Sequence, residues 1–165
     1  MKIIFSLLLC ICFQFSFAQK LDINSLEKIL YAPVNSADSL LKRSKFTLSD
    51  KKTYTSKDVK GEGYNDYYYT SYERQDMVKH LLRSLSIMDV FSTTDTTRMI
   101  LYRTYYEEEQ EELKTQLLAN GYELSGEEDN KFIYKKGNYT ITNKISDKTV
   151  KGGKTTKAYE FELAR

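Results

Sequence analysis

The residues in this chain whose chemistry could be catalytic are few. His80 is the sole histidine, so any histidine-dependent triad must use it, yet nothing local marks a serine nucleophile and both cysteines sit at the N-terminus. The run Glu107-Glu108-Glu109-Gln110-Glu111-Glu112 holds enough carboxylate for glycoside hydrolysis or metal binding, both of which need acids converging in a pocket. The same acids are favoured at a helix start by the macrodipole and by solvation. Glu127-Glu128-Asp129 lacks the alternating oxygen ligands and glycine of a calcium loop. Gly153-Lys154-Thr155 matches the end of a phosphate-binding loop, but that motif needs a glycine where Lys148 stands and a helix after it, and a strand is expected there. Asn138-Tyr139-Thr140 is a glycosylation sequon only in a eukaryotic secretory route. No catalytic, cofactor-binding or metal-ligating residue is assigned, and no cofactor is expected.

The stronger signal is aromatic. Tyr64-Asn65-Asp66-Tyr67-Tyr68-Tyr69-Thr70-Ser71-Tyr72 read as a strand puts Tyr64, Tyr68 and Tyr72 on one side and Tyr67 and Tyr69 on the other, so whichever side is core, the other is aromatic. A second strand, Thr97 to Tyr105, turns Ile100 and Tyr102 inward and Met99, Leu101, Arg103 and Tyr105 outward. Tyr67, Tyr69, Met99, Leu101, Arg103 and Tyr105 are therefore the candidate binding residues. Sheets rarely leave such a face bare, so it should be covered by a partner, a ligand, or this chain's own loop and N-terminal helix. Lys144, Lys148, Lys151, Lys154 and Lys157 crowd the last hairpin, where they either meet an anionic partner or protect an edge.

The elements that must position these residues come in two similar sets. Leu40-Leu41-Lys42-Arg43-Ser44-Lys45-Phe46-Thr47-Leu48-Ser49 reads against Leu117-Leu118-Ala119-Asn120-Gly121-Tyr122-Glu123-Leu124-Ser125, with one residue fewer in the second. Each looks like a helix end running into aromatic-x-Leu-Ser. Downstream, Thr96-Thr97-Arg98 and Thr155-Thr156-Lys157 each precede an apolar strand-like run, and aligning Arg98 with Lys157 extends the internal repeat. In the second unit a helix over Tyr106 to Asn120 carries acids in its first turn and leucines at helical spacing, and Gly121 stops it. Strands follow at 131–135, 139–145 and 157–163, alternating apolar and polar. The first unit has a helix over 36–45 and strands near 64–72, 78–88 and 97–105. Its middle segment also fits a helical face through Val78, Leu81, Leu82, Leu85 and Met88, and the repeat favours strand. A short helix over 22–31 is ended by Pro33, and Lys51 to Gly63 reads as a flexible loop.

The expected fold is thus α+β: tandem helix plus three-strand antiparallel meander units (αβββ-αβββ) after a short N-terminal helix, with the helices on one sheet face. Residues 19–105 hold the N-terminal helix and first unit, and 106–165 the second. This arrangement resembles exported helix-plus-meander binding proteins, the beta-lactamase inhibitor protein-like and outer-membrane assembly lipoprotein-like folds. The resemblance is one of architecture and implies a binding scaffold rather than an enzyme.

Residues 1–18 read as a signal peptide: Lys2, an apolar core through Phe13, and small Ser16 and Ala18 before a cleavage point at Gln19. The apolar run falls short of the roughly 20 residues of a spanning helix, so no transmembrane segment is expected after cleavage. Both cysteines leave with the leader, so the remainder is disulfide-free although its compartment permits disulfides. With 25 basic and 23 acidic residues the chain lacks the basic excess of a nucleic-acid binder. The sequence therefore points to a periplasmic or secreted, non-enzymatic protein recognising a protein or cell-envelope component. The alternative is a cell-wall or glycan hydrolase using acids such as Glu107 and Glu111.

Overall fold

Asp22 starts the first described helix. Its carboxylate accepts the Ser25 amide at 2.7 Å, capping α1 (Ile23–Tyr31) and satisfying one of the N–H groups that a first turn leaves free. Ile23, Leu26, Ile29 and Leu30 recur at helical spacing and are all buried. Pro33 ends this run and α2 (Val34–Arg43) follows it, while α3 (Glu107–Ala119) opens the second half. The computed structural model describes residues 20–57, 63–75, 82–92, 95–150 and 152–165, with only the backbone at residues 34 and 35. The expected leader, Val78, His80, Leu81 and Lys151 lie outside these residues.

The described residues form eight strands, four after α2 and four after α3: β1 (Thr47–Lys57), β2 (Tyr64–Gln75), β3 (Leu82–Phe91), β4 (Thr96–Thr104), β5 (Glu123–Glu128), β6 (Lys131–Lys136), β7 (Tyr139–Thr149) and β8 (Thr155–Ala164). They form one antiparallel sheet in the order β1-β2-β3-β4-β8-β7-β6-β5. The α+β class holds, but the three-strand unit does not. Each of α2 and α3 is followed by four strands, and the halves join through β4 and β8. The unexpected strands are the two edges. Lys51 to Lys57, expected as loop, belongs to β1, and Glu123 to Glu128 forms β5. Nearly every residue of both is exposed, so neither carries the apolar alternation by which a half-buried strand is read. Charge on an edge strand also blocks pairing with other chains.

The halves match in detail. Phe46 N–H reaches Leu41 O at 2.9 Å and Tyr122 N–H reaches Leu117 O at 3.0 Å, with Lys45 (φ 61°) and Gly121 (φ 81°) in the left-handed region between. Both helices therefore end in the same Schellman motif. Both first strands then shift register at the same point, between Leu48 and Asp50 and between Leu124 and Gly126. The bulged serines repeat too: Ser49 Oγ donates to Ser71 O and Ser125 Oγ to Ile133 O, each at 3.1 Å. Leu41, Phe46 and Leu48 thus correspond to Leu117, Tyr122 and Leu124 without the expected gap. Following the ladders inward, Leu48-Tyr72-Leu85-Tyr102 runs parallel to Leu124-Tyr134-Ile141-Leu163. Tyr102 consequently corresponds to Leu163, not to Phe161 as the Arg98–Lys157 alignment has it. The drift arises because β2 has 12 residues and β6 has 6, so the intervening segment is not of constant length.

All three described helices pack on one face of the sheet. Leu26 and Ile29 of α1, Leu41 of α2, and Leu113 and Leu117 of α3 close over Leu85, Ile100, Tyr102, Ile141, Phe161 and Leu163. The middle segment of the first half is a strand, with Arg83, Leu85, Ile87 and Asp89 inward and buried. Its two inward charges obscure the apolar alternation in the sequence. Arg98 seats α1 on β4. Its Nε donates to Asp89 Oδ1 at 2.5 Å and its NH2 to Oδ2 at 3.1 Å, while NH1 donates to the carbonyls of Ile29, at 3.2 Å, and Ala32. A cation on the last carbonyls of a helix meets both their unpaired acceptors and the negative end of the dipole.

Candidate functional site

Strand alternation places Tyr67 and Tyr69 of β2 and Met99, Leu101 and Arg103 of β4 on the face away from the helices. Between them β3 contributes Val90, Met88, Ser86 and Ser84 to the same surface: Tyr67 aligns with Val90, Tyr69 with Met88 and then Met99, and Ser71 with Ser86 and then Leu101. Five of the six candidate residues thus share one patch. Tyr105 follows the last residue of β4 and stands outside its ladder. All six are half-buried.

Specific contacts hold the tyrosines in place. Tyr69 Oη and Ser86 Oγ are hydrogen-bonded at 3.0 Å, and Ser71 Oγ lies 3.4 Å from Ser86 Oγ. The Tyr67 ring stacks on Tyr54 of β1 with centroids 4.7 Å apart and planes 4° from parallel. Tyr54, 51% exposed, is the main residue that sequence reasoning missed. The Lys52-x-Tyr54 spacing opposite Tyr69 and Tyr67 could have revealed it, had 51–57 been read as a strand. Arg103 closes the patch rather than extending it. Its Nε donates to Glu160 Oε1 at 2.7 Å, and Lys148 approaches the same oxygen at 3.9 Å. Beyond this ion pair the outer face turns to Glu162, Thr142, Lys144, Lys131 and Lys135, with Ile133 among them.

The acidic run is divided by the helix period. Glu107, Glu108, Glu111 and Glu112 are exposed, whereas Glu109 and Gln110 turn inward and are buried. Glu111 holds Lys114 at 3.1 Å and Glu112 holds Lys20 at 2.8 Å. Glu109 is 1% exposed and accepts from Arg83 Nε at 2.8 Å, Thr104 Oγ1 at 3.1 Å and the Tyr102 hydroxyl. Burial, reinforced by that carboxylate, raises the Tyr102 hydroxyl well above its ordinary pKa. Gln110 Nε2 donates to Asn143 Oδ1 at 2.9 Å, and Asn143 Nδ2 to Glu160 O at 3.3 Å. Glu107 and Glu111 therefore face solvent, and the inward acid already binds three donors. Among the described residues no group of three or more His, Cys, Asp or Glu could hold a metal ion. The chain matches no protein-family model, no curated protein and no solved structure. Among the described helices none is long and apolar enough to cross a membrane.

The glycine-lysine-threonine segment forms the turn into β8. Val150 N–H reaches Lys154 O at 2.9 Å and Gly153 N–H reaches Val150 O at 3.1 Å. A strand follows it, as expected, so the segment lacks the helix N-terminus that a phosphate loop presents to its ligand.

Proposed function

We propose that this is an exported, non-catalytic binding protein that docks a protein partner of the cell envelope on the outer face of β1–β4. The observation that carries the reading is the division of one sheet face. Its first half presents Tyr54, Tyr67, Tyr69, Val90, Met88, Met99 and Leu101, and its second half presents mainly Glu162, Lys144, Lys131, Lys135 and Thr142 around Ile133. All three described helices pack on the opposite face. Tyrosine and methionine are enriched at protein interfaces because they supply contact area with few frozen torsions, or adapt to it. The Arg103–Glu160 pair forms a polar rim beside this apolar centre, the layout of a standard interface. The architectural resemblance to exported helix-plus-meander scaffolds and the N-terminal signal-like run point the same way.

The test uses two variants, Tyr69→Ser and Leu101→Ser. A partner captured from envelope extract is purified and its binding to the pure protein is reconstituted. Each variant should then weaken binding by at least about tenfold, the loss of roughly 1.4 kcal/mol expected of a central contact, with its circular dichroism unchanged. Equal affinity in folded variants would refute the site.

A further inference from the structure

The described helices cover only part of the inner sheet face. At the far ends of β1, β2 and β3 the inward side chains Lys51, Asp66, Tyr68, Thr70, Asp89 and Phe91 line a hollow of about 440 Å³. Its size falls within the range of small-molecule sites. It lies on the opposite side of the sheet from the proposed docking face, because Tyr68 and Thr70 alternate with Tyr67 and Tyr69.

The geometry points to a site for a neutral oligosaccharide. Tyr68 and Phe91 are set edge to face, with centroids 5.2 Å apart and planes at 82°, and they remain 45% and 41% exposed. Large rings fixed against each other yet open to solvent offer flat apolar faces on which the C–H face of a sugar ring can lie. The polar groups around them are arranged for hydroxyls. Asp66 accepts from Thr55 Oγ1 at 2.6 Å, one bond on a carboxylate that can accept about four. Thr70 and Lys51 stand opposite each other across β1 and β2, supplying donors on the other side of the rings.

Charge selects against other ligands. Asp89 at the base is 5% exposed and both its oxygens are held by Arg98, so it adds no net charge. Lys51 and Asp66 then balance each other. An anion or cation would meet a lining of zero net charge, and a wholly apolar ligand would strip water from Lys51 and Asp66 without replacing their hydrogen bonds. A molecule with one apolar face and many hydroxyls satisfies both conditions.

Titration of the full chain by NMR with cellotetraose, maltotetraose, chitotetraose and mannotetraose tests the inference. Saturable shifts at the Thr70 and Asp89 amides are expected with at least one sugar, and Tyr68→Ala should weaken that binding by about tenfold. Tyr69→Ser, on the opposite face, should leave it unchanged, which separates this site from the docking face. Phe91→Leu provides a milder variant should Tyr68→Ala fail to fold. No shift with any of the four sugars overturns the inference, as does undiminished binding by folded Tyr68→Ala. Saturation by choline and not by sugars would overturn it in favour of a cation site.

Discussion

Replacing Glu109 with glutamine is the sharpest test of how this fold is held. The carboxylate is 1% exposed and receives Arg83, Thr104 and Tyr102. Arg83 keeps 10% of its side-chain surface, and its guanidinium lies 4.2 Å from the centroid of the Tyr106 ring. Glutamine preserves shape and one acceptor oxygen but removes the charge, so the guanidinium stays buried without its counter-ion. Breaking a buried pair from one side costs about 3–5 kcal/mol. The retained acceptor places this variant at about 3 kcal/mol, a large share of the roughly 5–15 kcal/mol that holds a domain folded. The corresponding fall in melting temperature is roughly 6–12 °C. Urea unfolding followed by far-ultraviolet circular dichroism measures it, with Glu107→Gln and Glu111→Gln as exposed controls expected within about 0.5 kcal/mol of the parent. A loss below about 1 kcal/mol for Glu109→Gln, or an equal loss in the controls, would show that the buried network does not carry the stability assigned to it. Arg83→Met combined with Glu109→Leu removes both charges and should recover part of the loss.

Two further predictions concern the repeat and the tyrosines. Lys45 holds a left-handed conformation at the position where its counterpart is Gly121, so Lys45→Gly should raise the urea midpoint by the equivalent of about 0.5–1 kcal/mol. Gly121→Ala should lower it by about 1 kcal/mol. An added Cβ at Gly121 meets nothing within 4 Å, so that loss would be conformational, and a neutral result would deny the shared motif. Alkaline pH should destabilise the protein steeply. Burial raises the hydroxyls of Tyr72, Tyr102, Tyr122, Tyr134 and Tyr159 above the ordinary 10.0, with Glu27 adding to the effect at Tyr122. Because the folded values exceed the unfolded ones, the folded state holds more protons above pH 10 and stability falls as pH rises. Each fully protected tyrosine contributes about 1.4 kcal/mol per pH unit. Urea midpoints between about pH 8 and pH 11, with tyrosinate absorbance alongside, check this, and a midpoint that stays level across that range contradicts it.

Much of the fold was legible where burial imposes a period. Ile23, Leu26, Ile29 and Leu30 mark a helix, and the alternation in Tyr139 to Ile145 marks a strand, because each element has one face in the core. Tyr67 and Tyr69 were separable from Tyr68 and Tyr72 for the same reason. The edge strands were not legible. Thr47–Lys57 and Glu123–Glu128 bury almost nothing, so they leave only turn-like composition, and that concealed both the fourth strand of each unit and the stacked Tyr54. The acidic run was ambiguous for a different reason: six polar residues in a row do not show which one the helix turns inward.

By itself the sequence determined the local elements that have one buried face, the presence of two similar halves and the excess of aromatic residues over what one buried face needs. These follow from spacing along the chain, which sets which side chains share a face. Only the tertiary structure decided that β4 and β8 join the halves into one sheet and that Glu109 is the acid which meets Arg83. It likewise decided that Tyr68, Phe91, Asp66 and Lys51 meet in one hollow at the ends of β1–β3. Each of these depends on which distant segments come together, and local periodicity carries no record of that choice.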